Sequence, residues 1–232
     1  YKTGDQEGAL AELPSYPDGY ELSGNESKIL FYTGSRQVYR HSFLATYQVM
    51  DIESGECQQL YGEPQRDASL SSDGSMAAFI VSNNIFLKNL ATGDVTQVTS
   101  DGQEGKVING APDWVYEEEF GFSKAYELSP CGKYLAYIKF NESDVKSFTL
   151  QYYPVFSNYA ASDCNYPTQF CYKYPKAGES NSKVSVHIYN IETGETIEAS
   201  LGPDPDIYVP RIQWIGSTGK LCICHLNRLQ NK

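Results

Sequence analysis

The stretch Asp113-Trp114-Val115-Tyr116-Glu117-Glu118-Glu119-Phe120 sets three consecutive carboxylates directly behind two large aromatics. A solvated acidic run is usually embedded among Lys, Ser and Gly. Here Trp114, Tyr116, Phe120 and Phe122 surround the acids instead. Carboxylates packed against apolar surface cost free energy unless a positive group faces them. Two readings stand side by side: an acidic turn on a surface loop, and a part-buried site that receives a cation.

On a strand, neighbouring side chains point to opposite faces, so two adjacent Glu could not address one ligand. A helix rotates by about 100° per residue, which lets neighbours converge. Asp113 is a suitable N-cap, and no breaker follows until Gly121. The spacing therefore predicts a short helix with its carboxylates near the positive end of the helix dipole, on which Glu118 and Glu119 can face one cavity together. Close carboxylates repel until a cation enters. A primary ammonium has three donors and can bond both carboxylates and one further acceptor. Acid–base hydrolysis of a glycosidic bond is the weaker alternative, because it needs carboxyl groups about 5–10 Å apart on opposite sides of the bond. A calcium loop is also weaker, because the Asp/Asn/Gly spacing of such loops is absent.

Two short patterns recur around this segment. The first is an apolar residue, Ser, a polar turn and an alternating apolar strand. It occurs at Leu22-Ser23, Leu70-Ser71-Ser72-Asp73-Gly74 and Leu128-Ser129-Pro130-Cys131-Gly132, and in degenerate form from Ile212 to Gly216. Each copy reads as a β-hairpin. The second pattern is an Asp or Asn followed by Ser/Thr-Gly: Asp51-Ile52-Glu53-Ser54-Gly55, Asn89-Leu90-Ala91-Thr92-Gly93 and Asn190-Ile191-Glu192-Thr193-Gly194. Here Gly supplies a positive φ and the Asp or Asn can accept from the following backbone. Alternation of the two makes a four-stranded antiparallel unit. The starts are 48, 58 and 84 residues apart, which suits propeller blades with insertions in the later ones. The expected fold is all-β: a partial β-propeller of about four blades, with a short helical insertion carrying the Glu motif. An immunoglobulin-like sandwich lacks this paired repeat, and the WD and Gly-His marks of WD40 arrays are missing. A second insertion, from about Asn141 to Lys183, holds six tyrosines, Cys164 and Cys171.

Composition agrees. The chain has 232 residues, 19 of them Tyr, with 19 Gly and 11 Pro as punctuation. Its formal charge of −11 argues against nucleic acid and against anionic membrane surfaces. No apolar run is long enough to span a membrane. The six cysteines and three histidines show no zinc-like spacing, so no metal or cofactor is expected. Cys164 and Cys171 could close a short disulfide ring. Cys222 and Cys224 alternate on one face of a strand and read as neighbours, not a bridge. Asn25-Glu26-Ser27 and Asn141-Glu142-Ser143 match the glycosylation acceptor pattern. The chain opens without Met and nearly inside a blade, and it stops just after a strand, so both ends read as cuts.

The segment Asp113–Glu119 resembles the double-Glu motif of the dipeptidyl peptidase IV family, serine exopeptidases in which an eight-bladed propeller caps an α/β-hydrolase domain. Tyr39-Arg40-His41-Ser42-Phe43, Leu128-Ser129-Pro130-Cys131-Gly132-Lys133-Tyr134-Leu135-Ala136-Tyr137, Phe140-Asn141-Glu142 and Tyr174-Pro175-Lys176-Ala177-Gly178 follow the family's order. The similarity runs from about residue 22 to residue 230.

The resemblance implies that Glu118 and Glu119 bind the N-terminal ammonium of a peptide. It also implies that Arg40 helps to hold the substrate backbone and the Glu pair, a suitable task for an always-charged donor fork. The implied reaction is release of Xaa-Pro or Xaa-Ala dipeptides. No Gly-x-Ser-x-Gly elbow occurs in these residues, so the catalytic Ser, Asp and His are expected in a hydrolase domain outside residues 1–232, and the chain alone is expected to be inactive. The alternative is a non-catalytic propeller module that binds peptides or partner proteins. Expected partners are peptides with a free N-terminus, the hydrolase domain, and further copies of the chain meeting at open strand edges. The family implies a secreted, periplasmic or cell-surface location.

Overall fold

The computed structural model describes residues 16–153 and 166–232. It is built almost entirely of antiparallel strands. β1 (Gly19–Leu22), β2 (Lys28–Gln37), β3 (Phe43–Asp51) and β4 (Cys57–Gln59) form the first blade in simple succession. β5 (Gln65–Leu70), β6 (Met76–Val81), β7 (Asn84–Asn89) and β8 (Val95–Gln97) form the second. The two blades also touch edge to edge, where Leu44 and Ala45 of β3 pair with Arg66 and Gln65 of β5.

The third blade is interrupted twice. β9 (Val107–Asn109) leads into helix α1 (Trp114–Phe120) before β10 (Tyr126–Leu128) and β11 (Tyr134–Asn141). A separate hairpin, β12 (Ser147–Tyr152) and β13 (Thr168–Lys173), then precedes β14 (Lys183–Asn190) and β15 (Thr196–Glu198). The blade order is β10-β11-β14-β15, with β9 added against β11. The fourth repeat is present as one hairpin, β16 (Ile207–Trp214) and β17 (Leu221–Asn227). All four sequence repeats thus form strands, as three full blades and one pair.

Both turn motifs have a single physical origin. Ser23, Ser71 and Ser129 each accept, through Oγ, the N–H of the residue five positions on, at 3.0, 3.0 and 2.9 Å. The backbone N–H of the same Ser donates to the carbonyl of that residue. In the fourth hairpin Ile215 takes the Ser position and keeps only the backbone bond, to Lys220 O. In the second motif Asp51, Asn89 and Asn190 accept N–H bonds from residues two or three ahead. Gly55, Gly93 and Gly194 take φ of 74°, 80° and 75°, a region that a side chain disfavours.

Packing runs between blades. In β6, Ala77, Phe79 and Val81 face a core shared with Leu30, Tyr47 and Val49 of the first blade. The alternate residues Ala78 and Ile80 face a second core with Tyr126, Leu135 and Ile138 of the third. A strand buried on both faces loses the apolar–polar alternation of a half-exposed one, which explains the continuous run Ala77-Ala78-Phe79-Ile80-Val81. Val209 and Trp214 of β16 extend the second core beyond the third blade.

Candidate amine-binding site

Helix α1 begins and ends where the side chains predict. Asp113 Oδ1 accepts from Tyr116 N at 2.9 Å, and Gly121 closes the helix in the left-handed region at φ 68°. Asp113 is itself buried, and its second oxygen accepts from Ser182 Oγ. Burial pushes the Asp113 carboxyl up, against the hydrogen bonds from Ser182, Tyr116 and Val115 that favour its charged form.

The faces of α1 do different work. Tyr116 points into the core, makes an edge contact with the Phe140 ring at 4.8 Å, and accepts at its hydroxyl from Val209 N at 3.1 Å. This fixes the helix to β11 and β16. Trp114 lies against Tyr172 and Tyr174, with ring centroids 5.3 and 4.8 Å away. The two insertions of the third blade are therefore packed together by aromatic contact, and the tyrosine-rich segment serves to brace the helix.

The three Glu residues separate by burial. Glu117 is almost wholly buried, Glu118 is half-buried and Glu119 is exposed. Glu117 Oε1 accepts from the backbone N–H of His41 and Ser42, and Oε2 accepts from Arg66 Nη2 at 3.3 Å. Glu118 accepts from Arg40 Nε at both oxygens, at 3.0 and 2.8 Å. Arg40 holds the Glu118 carboxyl below the usual range, chiefly through this hydrogen bond. Among the described residues neither terminal nitrogen of Arg40 has a protein acceptor, and the Glu119 carboxylate has no donor. The sequence thus predicts Glu118, Glu119 and Arg40 as one site, and the structure brings Arg40 onto Glu118 with Glu119 next along the helix. A cleft of about 610 Å³ opens elsewhere, among outer turns of the first two blades near Lys28, Asp51 and Leu90, and has none of these three residues in its lining.

Beneath the helix lies a charged layer that the sequence does not flag. Arg66 binds Asp67 through Nε at 3.0 Å and Glu117 through Nη2. Burial raises Asp67 to about 6 and Glu142 to about 7, the latter also through the nearby Asp113 charge. Burial likewise lifts the Tyr39 hydroxyl to about 12. Arg66 stands in a short strand with no charge pattern around it, and only its direct neighbour Asp67 hints at pairing. Among the described residues Cys131, Cys171, Cys222 and Cys224 are free thiols, Cys222 and Cys224 being exposed on β17 as the alternation implies. Cys164, and with it the suggested ring to Cys171, lies outside the described residues. No helix among the described residues is long and apolar enough to cross a membrane.

Comparison with known proteins places this arrangement in a wider set. The chain is similar to mouse prolyl endopeptidase FAP, 34% identical over 91% of this chain and 28% of that protein. It is similar to dipeptidyl peptidase 4 of Trichophyton equinum, 33% identical over 97% of this chain and 29% of the other. Its fold superposes on crystalline dipeptidyl peptidase 4 of Porphyromonas gingivalis with a TM-score of 0.86 and 38% identity, over 95% of this chain and 31% of that one. The chain therefore spans less than a third of the length of these relatives. The family model for the dipeptidyl peptidase IV (DPP IV) N-terminal region matches residues 23–232, and the chain belongs to that family.

Proposed function

We propose that this chain is the substrate-recognition propeller segment of a dipeptidyl peptidase IV-like serine exopeptidase that releases N-terminal Xaa-Pro or Xaa-Ala dipeptides. The observation that carries the reading is the Arg40–Glu118 pair beside the exposed Glu119. One guanidinium against two carboxylates leaves one net negative charge, which the ammonium of a peptide N-terminus cancels. Its three donors suit Glu119 and the remaining lone pairs of Glu118. The terminal nitrogens of Arg40 are then free to donate to a peptide carbonyl. The names of the relatives include both dipeptidyl peptidases and an endopeptidase, so the requirement for a free amine rests on this geometry. The hydrolytic Ser, Asp and His belong, in this reading, to a hydrolase domain outside these residues, and the protein works in a secreted, periplasmic or cell-surface setting.

The test is kinetic. In the peptidase containing this segment, Glu118→Gln or Glu119→Gln lowers kcat/KM for an Xaa-Pro anilide while folding is retained. Each lost charge-assisted bond is worth about 1.5–3 kcal/mol, or roughly 10- to 150-fold. An N-acetylated substrate, turned over poorly by the wild type, is indifferent to both changes. Unchanged kcat/KM on the free-amine substrate in both variants refutes the reading.

A further inference from the structure

Arg40 is mostly exposed, with a side-chain accessibility of 67%. An exposed ion pair is too weak to set its own geometry, so something else must determine where Arg40 meets α1. The residues immediately after it supply the answer. The N–H groups of His41 and Ser42 donate to one oxygen of Glu117, at 2.7 and 2.9 Å. Glu117 and Ser42 are 1% and 0% exposed, so these bonds are shielded from water and correspondingly strong. The other oxygen of Glu117 faces Arg66 Nη2. Arg66 is delivered by the pairing of β5 with β3 at Leu44, two residues past Ser42, and its Nε is fixed by Asp67. The buried Glu117 therefore sits one residue from Glu118 on the helix and grips the two residues that follow Arg40 on the loop.

We infer that Glu117 and Arg66 are positioning residues that hold the Arg40 loop in register with α1, so that Arg40 and Glu118 meet in the geometry an ammonium requires. This rests on the amine-binding reading proposed above. Neither residue touches the ligand. Their effect passes through the amides of His41 and Ser42.

Removal of one partner leaves a buried, unpaired charge and destabilises the fold. The informative variant is therefore Arg66→Met/Glu117→Met, which removes both charges together. It leaves Asp67 without its Arg66 partner and the His41 and Ser42 N–H groups without their acceptor, so the fold is weakened. In the peptidase containing this segment, with Gly-Pro p-nitroanilide as substrate, the double variant has a lowered Tm but is folded at the assay temperature, and there KM rises about tenfold while kcat changes less than threefold. Ile85→Val, a core change distant in sequence from the site, lowers Tm and leaves KM unchanged, which separates positioning from loss of stability. A folded double variant with wild-type KM overturns the inference. If the double variant does not fold, Arg66→Lys decides: it keeps the charge but loses the fork that spans Asp67 and Glu117, and a KM raised at least threefold supports positioning while an unchanged KM overturns it. If Glu118→Gln and Glu119→Gln leave kcat/KM unchanged, the amine-binding reading itself fails and this inference falls with it. If those two cripple the enzyme and the Arg66 and Glu117 variants do not, only the positioning role is lost.

Discussion

Arg40 Nε bridges both carboxylate oxygens of Glu118, at 3.0 and 2.8 Å, across 78 residues of sequence. The bond joins a loop of the first blade to the helical insertion of the third. It uses one of the five guanidinium donors and keeps Glu118 ionised.

Loss of Arg40 should therefore appear in the pH profile. In Arg40→Ala, Glu118 loses the group that holds its carboxyl low and is left beside Glu119, so its affinity for a proton rises. The ionised form proposed to bind an ammonium is then lost at a higher pH as the solution is acidified. The acid limb of kcat/KM in the peptidase should move upward relative to wild type. Measurement of kcat/KM across the acidic range checks this, and an unmoved limb contradicts the pairing.

Global stability carries the opposite sign at the buried acids. Asp67 and Glu142 are raised in the fold to about 6 and about 7 by burial. At a pH below their unfolded values both states hold the proton and the fold pays no penalty. As pH rises toward 6 and 7 the unfolded chain releases protons that the native chain retains, and stability falls. Each group costs on the order of 3 kcal/mol once pH exceeds its folded value. Urea midpoints should be higher near pH 5 than near pH 8. Asp67→Asn, which tolerates the left-handed φ of 49° at this position, and Glu142→Gln should each flatten the slope.

The blade repeats and the helix were legible because their causes are local. The Ser that closes three of the four hairpins acts on a residue five positions away, and the Asp or Asn turn is completed within four residues by Gly. Asp113 and Gly121 mark α1 from both ends. Arg40 is legible only through resemblance to a known motif, since its partner Glu118 is far along the chain. Arg66 is not legible in the sequence. Its role depends on β5 pairing with β3 and on a helix 51 residues away, and no local spacing encodes either. The bracing of Trp114 by Tyr172 and Tyr174 was hidden for the same reason, because both insertions had to be placed before their contact could be seen.

The Tyr116 hydroxyl gives a direct measure of how firmly α1 is held. It is buried and accepts from Val209 N. Tyr116→Phe keeps the ring contacts with Phe120, Phe122 and Phe140 but leaves that N–H without its acceptor. An unsatisfied buried donor costs about 1–3 kcal/mol. The expected loss of stability is of that size, with faster amide exchange at Val209. Exchange at the turn of Asp51–Gly55, in the first blade, should not change.

The isolated chain should self-associate. β17 pairs with β16 on one side, and among the described residues no strand covers its other edge. An open edge of this kind offers unpaired N–H and C=O groups to a second copy. Exposed Leu150, Tyr152 and Phe170 on the β12–β13 hairpin add apolar surface. Sedimentation with reductant present, so that the free thiols of Cys222 and Cys224 cannot bridge copies, should show species that grow with concentration. Cys222→Lys/Cys224→Lys places two charges on the edge strand and should shift the distribution toward monomer. Leu150→Lys/Phe170→Lys does so instead if the hairpin is the contact, and a wild-type chain that stays monomeric at every concentration contradicts both.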